Sequence, residues 1–311
     1  MRRVGAAEAG ARLLDLLEAW LPSLTGAAPP RARVRAMVAA GAVRVDGVPL
    51  RAPGRPLRPG QLVEALLRAP ALQPKTVATD RPFTMSDAAV VFRDRWLLAV
   101  SKPPGLPTHP TADPRRPSLV SAVESWLKEQ GTTCALGVHQ RLDRDTSGLV
   151  LFTTDPEANP ELARTFASGL VVKAYLALTV RPAEELADEL TVDAPLAVAP
   201  GGRVRVARGG EAALPASTAV VVRERLGRTL LVEARPRTGR KHQVRVHLAH
   251  AGLPVLGDRL YGGRAPSVER TMLHAWRLEL LHPLSGRRLV LESPLPSDFR
   301  EALRSAGGRV A

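Results

Sequence analysis

Cysteine, aromatic residues and acidic residues are all scarce in this chain. Its 311 residues include one cysteine, and only 4% are aromatic, with two tyrosines among them. A single cysteine excludes an internal disulfide, and Cys134 has no neighbouring residues at the spacing of metal ligands. We therefore interpret Cys134 as a small buried apolar residue without a redox role.

Long apolar runs are also missing. No run approaches the roughly 18 residues of a membrane span, and the first residues, MRRVGAAEAGAR, lack the apolar core of a signal peptide. We expect a cytoplasmic protein with no membrane partner.

The charge balance is strongly one-sided. The chain has 44 Lys and Arg against 30 Asp and Glu, a net charge of +14. This balance favours a polyanionic partner, most simply nucleic acid. The length and a hydrophobic fraction of 45% predict two domains with buried cores.

Residues 1–68 have the pattern of a small α/β domain. Gly41 is placed to end a second helix, Asp46-Gly47 predicts a hairpin turn, and a further strand is predicted around Leu62 and Val63. The first helix is predicted from five apolar residues that share one helical face, Leu13, Leu16, Leu17, Trp20 and Leu21.

Residues 69–87 lack a sustained period and contain prolines, which predicts a linker. From residue 88 to 311 the pattern is of many short strands and a few helices, the clearest beginning after Ser118 and ending at Gly131. Strands and helices do not alternate as in a parallel α/β sheet. We predict an α+β domain with a mixed, mainly antiparallel sheet.

The clearest chemical signal is the string RLDRDTSGLVLF at residues 141–152. Asp143 lies between Arg141 and Arg144, and positive neighbours favour the ionised carboxylate, which is then available as a nucleophile. The same arginines could equally bind phosphate groups. One alternative is the D-x-D site of haloacid-dehalogenase phosphatases, but there the pair follows an apolar strand, whereas here the strand follows the pair. Another is that Arg144 and Asp145 form only a structural ion pair.

The string resembles the catalytic motif of the RluA family of pseudouridine synthases, which isomerise uridine within RNA. Three later segments resemble the family in the same order: VVKAYLALTV, RPRTGRKHQVRVHLAHAGLPVLGDRLYG and MLHAWRLELLHPLSGRRLVLESPLPSDF. The resemblance covers the chain after residue 88. It implies an isomerase that requires neither a cofactor nor a metal.

The resemblance also implies roles for individual residues. Asp143 matches the nucleophile, Tyr175 the tyrosine that stacks on the target uracil, and Arg245 the basic residue that pairs with the catalytic aspartate. Arg141 matches the arginine that fills the space left by the flipped base. The predicted substrate contacts are Arg141, Arg144, Arg240, Lys241 and His242.

One position departs from the family's pattern. Gln140 stands where the family's string has a histidine. The role of that histidine is put in doubt, but the relation of Arg141 to Asp143 is kept. Because glutamine still donates and accepts hydrogen bonds, we expect activity to be retained.

The front domain resembles the small RNA-binding domain named after ribosomal protein S-four, through RVRAMVAAGAVRVDGVPL. In that family a basic helix and a hairpin present arginines to RNA phosphates. The alternative is a set of ordinary solvated arginines. The RNA contacts implied here are Arg31, Arg33, Arg35 and Arg44.

The sequence leaves two further alternatives. His242, His247 and His250 lie close enough in sequence to suggest a metal site, although no cysteine or carboxylate completes it before Asp258. A non-catalytic ribosome-assembly factor on the same scaffold would be expected to lack one of the three catalytic residues, and all are present. We expect a monomeric enzyme acting on RNA, with large-subunit ribosomal RNA as the first candidate and transfer RNA as the alternative.

Overall fold

The computed structural model describes residues 1–25, 29, 31–39, 41–50, 52–65, 83–111, 116–199, 202–263, 265 and 267–309. The chain forms two compact units, Met1–Arg81 and Pro82–Ala311. Among the residues described, no helix combines the length and apolar character needed to cross a membrane.

The first unit packs two helices, α1 (Leu13–Thr25) and α2 (Arg31–Ala39), with a four-stranded antiparallel sheet. The predicted apolar face of α1 is buried in the core, which confirms the helical spacing. Asp46 and Gly47 both have positive φ, as the predicted hairpin turn requires. The strands, in sheet order, are β1 (Arg2–Arg3), β4 (Leu62–Ala65), β2 (Val43–Val45) and β3 (Val48–Pro49).

The second unit is built on a ten-stranded sheet, and within the described residues its strand pairs are antiparallel except for one, which joins Leu273–Leu281 to Ser147–Thr153. The predicted mixed, mainly antiparallel α+β fold is therefore confirmed. Eight strands follow one path, in the order β10 (Glu189–Asp193), β13 (Ser217–Leu226), β14 (Thr229–Pro236), β9 (Val172–Val180), β15 (Leu273–Leu281), β8 (Ser147–Thr153), β6 (Leu97–Lys102) and β5 (Val90–Arg93).

The remaining elements lie around this sheet. Strand β16 (Arg288–Glu292) pairs with β15, and β7 (Gly137–Val138) pairs with β8. Strands β11 (Leu196–Val198) and β12 (Val204–Val206) form a separate hairpin. The helices of this unit are α3 (Leu119–Glu129), α4 (Ala158–Ala167), α5 (Gln243–His250) and α6 (Ser297–Ser305).

Strand β8 runs through the middle of the second unit and is buried on both faces. Val150 and Phe152 pack into one core with α3, while Leu149 and Leu151 pack into another on the opposite face. This explains its unbroken apolar sequence, because a strand covered on both sides has no polar face.

Gly148 allows the parallel pairing of β8 with β15. It has φ of 116°, and a Cβ there would lie 2.1 Å from the carbonyl oxygen of Ala275. Only glycine permits that approach. The glycine of the Thr-Ser-Gly turn therefore places the start of β8, and with it the loop before β8, against β15.

The predicted linker at residues 69–87 falls largely outside the described residues. Its last part, from Phe83, belongs to the second unit, where Met85 is buried and Phe83 packs against the same core. Two apolar side chains at the end of the predicted linker are therefore held in a core.

Candidate active site

A cavity of about 300 Å³ opens beside the loop that connects β7 to β8. Its walls come from residues 138–143, from β9, from the end of β14 and from the segment leading into α5. The predicted site residues brought together here are Arg141, Asp143, Tyr175, Arg240, Lys241, His242 and Arg245.

The loop that carries Asp143 is held by the proline-rich segment after β6. Thr108, which is buried, both accepts a hydrogen bond from the Leu142 amide and donates one to the Leu142 carbonyl, at 3.1 and 3.0 Å. The Gly105 amide donates to the Arg144 carbonyl at 2.9 Å. The backbone on both sides of Asp143 is therefore fixed by neutral hydrogen bonds.

The cation that pairs with Asp143 lies on α5. Arg245 Nη1 donates to Asp143 Oδ2 at 2.7 Å, and the Arg245 side chain is only 12% exposed. The prediction that Arg245 pairs with the aspartate is borne out by the geometry. A charge-assisted bond at a partly buried site fixes the orientation of the carboxylate.

Arg245 is itself anchored by a second carboxylate that sequence reasoning did not assign. Its Nε and Nη2 donate to the two oxygens of Asp258 at 2.7 and 2.9 Å. Asp258 is fully buried and also accepts from the amides of Leu260 and Tyr261. Burial alone would lower the pKa of Arg245, but the bonds to Asp258 and Asp143 outweigh it and raise that pKa. The guanidinium is thus a permanent cation fixed between two carboxylates.

Tyr175 lies on β9 and lines the same cavity as Asp143. Burial, and secondarily the charge of Asp143, raise the pKa of Tyr175 well above its ordinary value. The phenol is therefore protonated at neutral pH. Its ring can serve as a stacking surface for a base, and its hydroxyl can act as a hydrogen-bond donor.

The two arginines that flank Asp143 in sequence do not pair with it. Arg141 is exposed and lines the cavity. Arg144 instead donates to both oxygens of Asp145, at 2.9 and 3.2 Å, and is not among the residues lining the cavity. Neither arginine is therefore the ion-pair partner of Asp143, because Arg144 points to Asp145 and the Arg141 side chain is exposed. Arg144 forms the ion pair that was the structural alternative.

The segment before α5 contributes Arg240 and Lys241 to the cavity wall, and the first residue of α5, Gln243, also lines it. Arg240 and Lys241 are exposed, and each donates to a backbone carbonyl, of Pro215 and Gly202 respectively. Gln243 is buried and its oxygen accepts from the Arg240 amide at 3.0 Å, which fixes the turn. Two basic side chains are thereby placed at the mouth of the cavity.

His242 differs from its exposed neighbours. Its side chain is 16% exposed, its Nδ1 lies 2.8 Å from the Tyr261 hydroxyl, and its Nε2 lies 3.7 Å from Asp143 Oδ1. This geometry does not support the predicted contact of His242 with the RNA backbone, because the imidazole ring faces the Asp143 carboxylate.

His247 is buried between Thr218 and the Ala194 carbonyl. It therefore has different hydrogen-bond partners from His242, although both belong to the histidine cluster considered as a metal site. Within the described residues no group of three side chains is arranged to hold a metal.

Gln140, the departure from the family's string, lines the cavity, and its amide donates to the Leu149 carbonyl at 3.3 Å. The neighbouring His139 bonds to Asn159 at 2.7 Å and stacks on Phe166. Gln140 therefore ties the loop to β8 by a hydrogen bond.

Lys173 is a cavity residue that sequence reasoning missed. It lies two positions before Tyr175 on β9, lines the cavity, and its ammonium is 5.8 Å from the Phe166 ring centroid. Burial lowers the pKa of Lys173. The KAY string contained the signal, since residues i and i+2 of a strand face the same side.

Lys102 is a second residue of this region that the sequence did not predict. It is almost fully buried beneath the loop that carries Asp143. Its ammonium donates to the carbonyls of Pro103, Leu106 and Arg144 at 2.9, 2.8 and 3.0 Å. Burial lowers the pKa of Lys102 to about 7. The three carbonyl acceptors favour the protonated form and give the ammonium a complete set of partners.

Replacing Lys102 with methionine is expected to lower the free energy of unfolding by about 2–5 kcal/mol, because three backbone carbonyls around a buried side chain lose their donor. The kcat should fall as well, since one of those carbonyls belongs to Arg144, next to Asp143. Chemical denaturation and single-turnover rates would measure both effects. A variant of unchanged stability would show that the ammonium does not hold this loop.

The predicted RNA-binding arginines of the first unit have different surroundings. Arg31 pairs with Asp15 and Glu18 of α1, at 3.3 and 2.9 Å, so it is not a free cation. Arg35 and Arg44 are exposed. The side chain of Arg33 lies outside the described residues.

Two family models match the chain. Residues 96–250 match the RNA pseudouridylate synthase model, and residues 17–63 match the S4 domain model. The first match contains Asp143, Tyr175 and Arg245, and the second contains α2 and the Asp46-Gly47 hairpin.

The chain is also similar to curated proteins. It is 36% identical to the ribosomal large subunit pseudouridine synthase D of Nitrosomonas europaea, over 70% of this chain and 64% of that protein. It is 32% identical to the enzyme of the same name from Xanthomonas campestris pv. campestris, over 90% of this chain and 87% of that protein.

A solved structure shows the same fold. Human RNA Pseudouridylate Synthase Domain Containing 4 has a TM-score of 0.59 to this chain at 24% identity, covering 71% of this chain and 93% of its own.

Proposed function

Because this chain belongs to the RNA pseudouridylate synthase family, we propose that it converts uridines of large-subunit ribosomal RNA to pseudouridine with Asp143 as the nucleophile. The observation that carries the proposal is the ion pair of Arg245 and Asp143 at a cavity also lined by Tyr175. The substrate class rests on the names of the relatives in Nitrosomonas and Xanthomonas.

The reaction is an isomerisation and needs no net redox change. The bond between uracil N1 and ribose C1′ breaks, and a bond between C5 and C1′ forms. The C5 hydrogen leaves as a proton, and N1 ends with a proton. Asp143 engages the nucleoside covalently, and that bond breaks before the product is released. Arg245 keeps Asp143 oriented for this step through its charge-assisted hydrogen bond.

The target base must leave its stack to reach Asp143, which costs a few kcal/mol that the enzyme has to offset. Tyr175 offers a ring on which uracil stacks, and exposed Arg141 is placed to enter the space that the base leaves. Arg240 and Lys241 at the mouth of the cavity, and Arg144 outside it, are assigned to the phosphates of the flanking nucleotides.

Residues 1–68 are assigned as an RNA-binding domain and residues 88–311 as the catalytic domain, with the linker between them. Exposed Arg35 and Arg44 of the first unit are assigned to RNA phosphates, together with Arg31 and Arg33. The enzyme is proposed to act in the cytoplasm as a monomer.

Mapping of pseudouridine by carbodiimide modification and primer extension tests the substrate. Purified enzyme is incubated in parallel with a large-subunit ribosomal RNA transcript and with a transfer RNA pool. New modification stops in the ribosomal transcript alone are expected. Stops in transfer RNA alone would mean that the enzyme is a pseudouridine synthase whose substrate is transfer RNA and not ribosomal RNA.

Replacing Arg35 and Arg44 together with alanine is expected to raise the KM for ribosomal RNA and leave kcat unchanged. Two lost phosphate contacts should reduce the slope of log affinity against log salt by about 1 to 2. Filter binding over a range of salt concentrations measures that slope. Arg300→Ala, on α6 of the other unit, is the matched exposed control. An unchanged slope would remove these arginines from the RNA interface.

A further inference from the structure

His242 has an unusual backbone conformation at the edge of the cavity. Among the described residues, the non-glycine residues with positive φ are Asp46, in a hairpin turn, and His242, with φ of 55° and ψ of 13°. The turn explains Asp46, whereas His242 stands at the N-cap of α5 without a side-chain capping bond. Strained conformations of this kind persist mainly where a functional site requires the side chain to be in one place.

The side chain of His242 connects two groups. Its Nδ1 is 2.8 Å from the Tyr261 hydroxyl, and its Nε2 faces Asp143 Oδ1 at 3.7 Å. Arg245 Nη1 already binds the other oxygen, Oδ2, at 2.7 Å. Each oxygen of Asp143 therefore faces a different nitrogen of the protein.

The tautomer of His242 follows from these contacts. A neutral imidazole carries one N–H, and an Nε2 lone pair pointed at a carboxylate would repel it, so the proton belongs on Nε2. Nδ1 then has to accept, and the Tyr261 hydroxyl has to donate. Burial raises the pKa of Tyr261, which keeps that hydroxyl protonated.

The charges around His242 are consistent with a neutral ring. Burial lowers the pKa of His242; Asp143 and Asp258 oppose this, while Arg245 and Lys241 add to it. Tyr261, the remaining titratable group against the ring, faces it edge-on at 5.7 Å between centroids.

We propose that Tyr261 and His242 form a relay that positions the nucleophile: the Tyr261 hydroxyl donates to Nδ1 and holds the His242 ring in place, and the Nε2–H of His242 then orients Asp143 Oδ1. This role rests on the proposed function, in which Asp143 is the nucleophile. His242 and Tyr261 are positioning residues, and neither is assigned to the RNA. In the free enzyme the Nε2 to Oδ1 distance of 3.7 Å exceeds a hydrogen bond, and catalytic hydrogen bonds that are long in a free enzyme often shorten when substrate binds.

The variants that test the relay keep the surrounding structure. Tyr261→Phe removes the hydroxyl but keeps the ring, which lies 5.1 Å from the Arg245 guanidinium carbon. His242→Asn suits the left-handed backbone, which asparagine adopts readily, and keeps a polar group toward Tyr261, but it has no atom that reaches Asp143. Each change is expected to lower kcat roughly tenfold, the effect of one hydrogen bond, with KM and melting temperature unchanged.

Combining the two changes distinguishes a relay from two separate effects. In the His242→Asn background, Tyr261→Phe should cost less than about twofold further, because its effect passes through the imidazole. A wild-type kcat in Tyr261→Phe, or two fully multiplicative losses, would overturn the proposal.

A second readout does not depend on turnover. Nitrogen-15 NMR of histidine-labelled, RNA-free enzyme should show His242 as the neutral Nε2–H tautomer, with its signal assigned by its loss in His242→Asn. Tyr261→Phe should keep this tautomer, which the Asp143 carboxylate favours, and shift the Nδ1 resonance, because Nδ1 loses its hydrogen-bond donor. An Nδ1–H tautomer in the wild type would refute the relay even if the enzyme is active. The predicted tautomer in an enzyme inactive on both RNA classes would support the relay while the proposed function fails.

Discussion

Replacing Asp143 with asparagine is expected to lower kcat by at least about 1,000-fold, because the amide cannot act as the covalent nucleophile. Asparagine has the same shape, and its oxygen can still accept the hydrogen bond from Arg245 Nη1. The fold and RNA affinity should therefore be retained. Single-turnover conversion of a mapped uridine, with filter binding of the same RNA, measures the two quantities separately.

Asp145→Asn is the matched control. Asp145 lies two residues away in the same loop, but its carboxylate is bound by Arg144 and is not among the cavity residues. It should keep kcat within a few-fold of the wild type. Equal losses in the two variants would mean that the loop as a whole, and not the Asp143 carboxylate, is what the chemistry requires.

Replacing Arg245 with methionine is expected to damage both activity and stability. Asp143 loses its charge partner, so kcat should fall by about 100- to 1,000-fold, the range seen when a fixed electrostatic partner is removed. Asp258, which is fully buried, is left without its cation, and such a loss costs about 3–5 kcal/mol. Single-turnover rates and denaturant unfolding measure the two losses.

The double variant Arg245→Met with Asp258→Asn separates these effects. Removing the buried charge should restore much of the stability, because a neutral amide can still accept from the Leu260 and Tyr261 amides. The activity should stay low, since Asp143 still lacks its cation. Recovery of activity together with stability would show that Arg245 acts only through folding.

Local patterns in the sequence predicted much of the fold. The apolar spacing from Leu13 to Leu21 and the Asp46-Gly47 turn are local signals, and the structure confirms both. The parallel pairing of β8 with β15 was not predicted, because it depends on Gly148 approaching Ala275, more than 100 residues away.

In the active site, too, local sequence signals were informative and long-range contacts were not. The resemblance pointed to Asp143, Tyr175 and Arg245, whereas the position of Arg141 and Arg144 beside Asp143 in sequence did not indicate which cation binds it. A carboxylate's partner depends on where side chains point, and Arg144 points to Asp145. The partner that does bind Asp143 comes from 102 residues further along the chain.

Buried ionic groups were the least predictable part of the site. Lysine and aspartate are usually found at the protein surface. Lys102 and Asp258 can be buried only because hydrogen-bond partners are supplied to them, by backbone carbonyls for Lys102 and by the Arg245 guanidinium for Asp258. Nothing in their sequence neighbourhood specifies those partners.

The most direct test of the central claim is release of tritium from ribosomal RNA labelled at uridine C5. Isomerisation replaces the C5 hydrogen with the bond to ribose, so each converted uridine releases one tritium. Release by the wild type and none by Asp143→Asn is the predicted result. Equal release by both proteins, or an RNA that is bound without any release, would contradict the assignment of Asp143 as the nucleophile of a ribosomal RNA pseudouridine synthase.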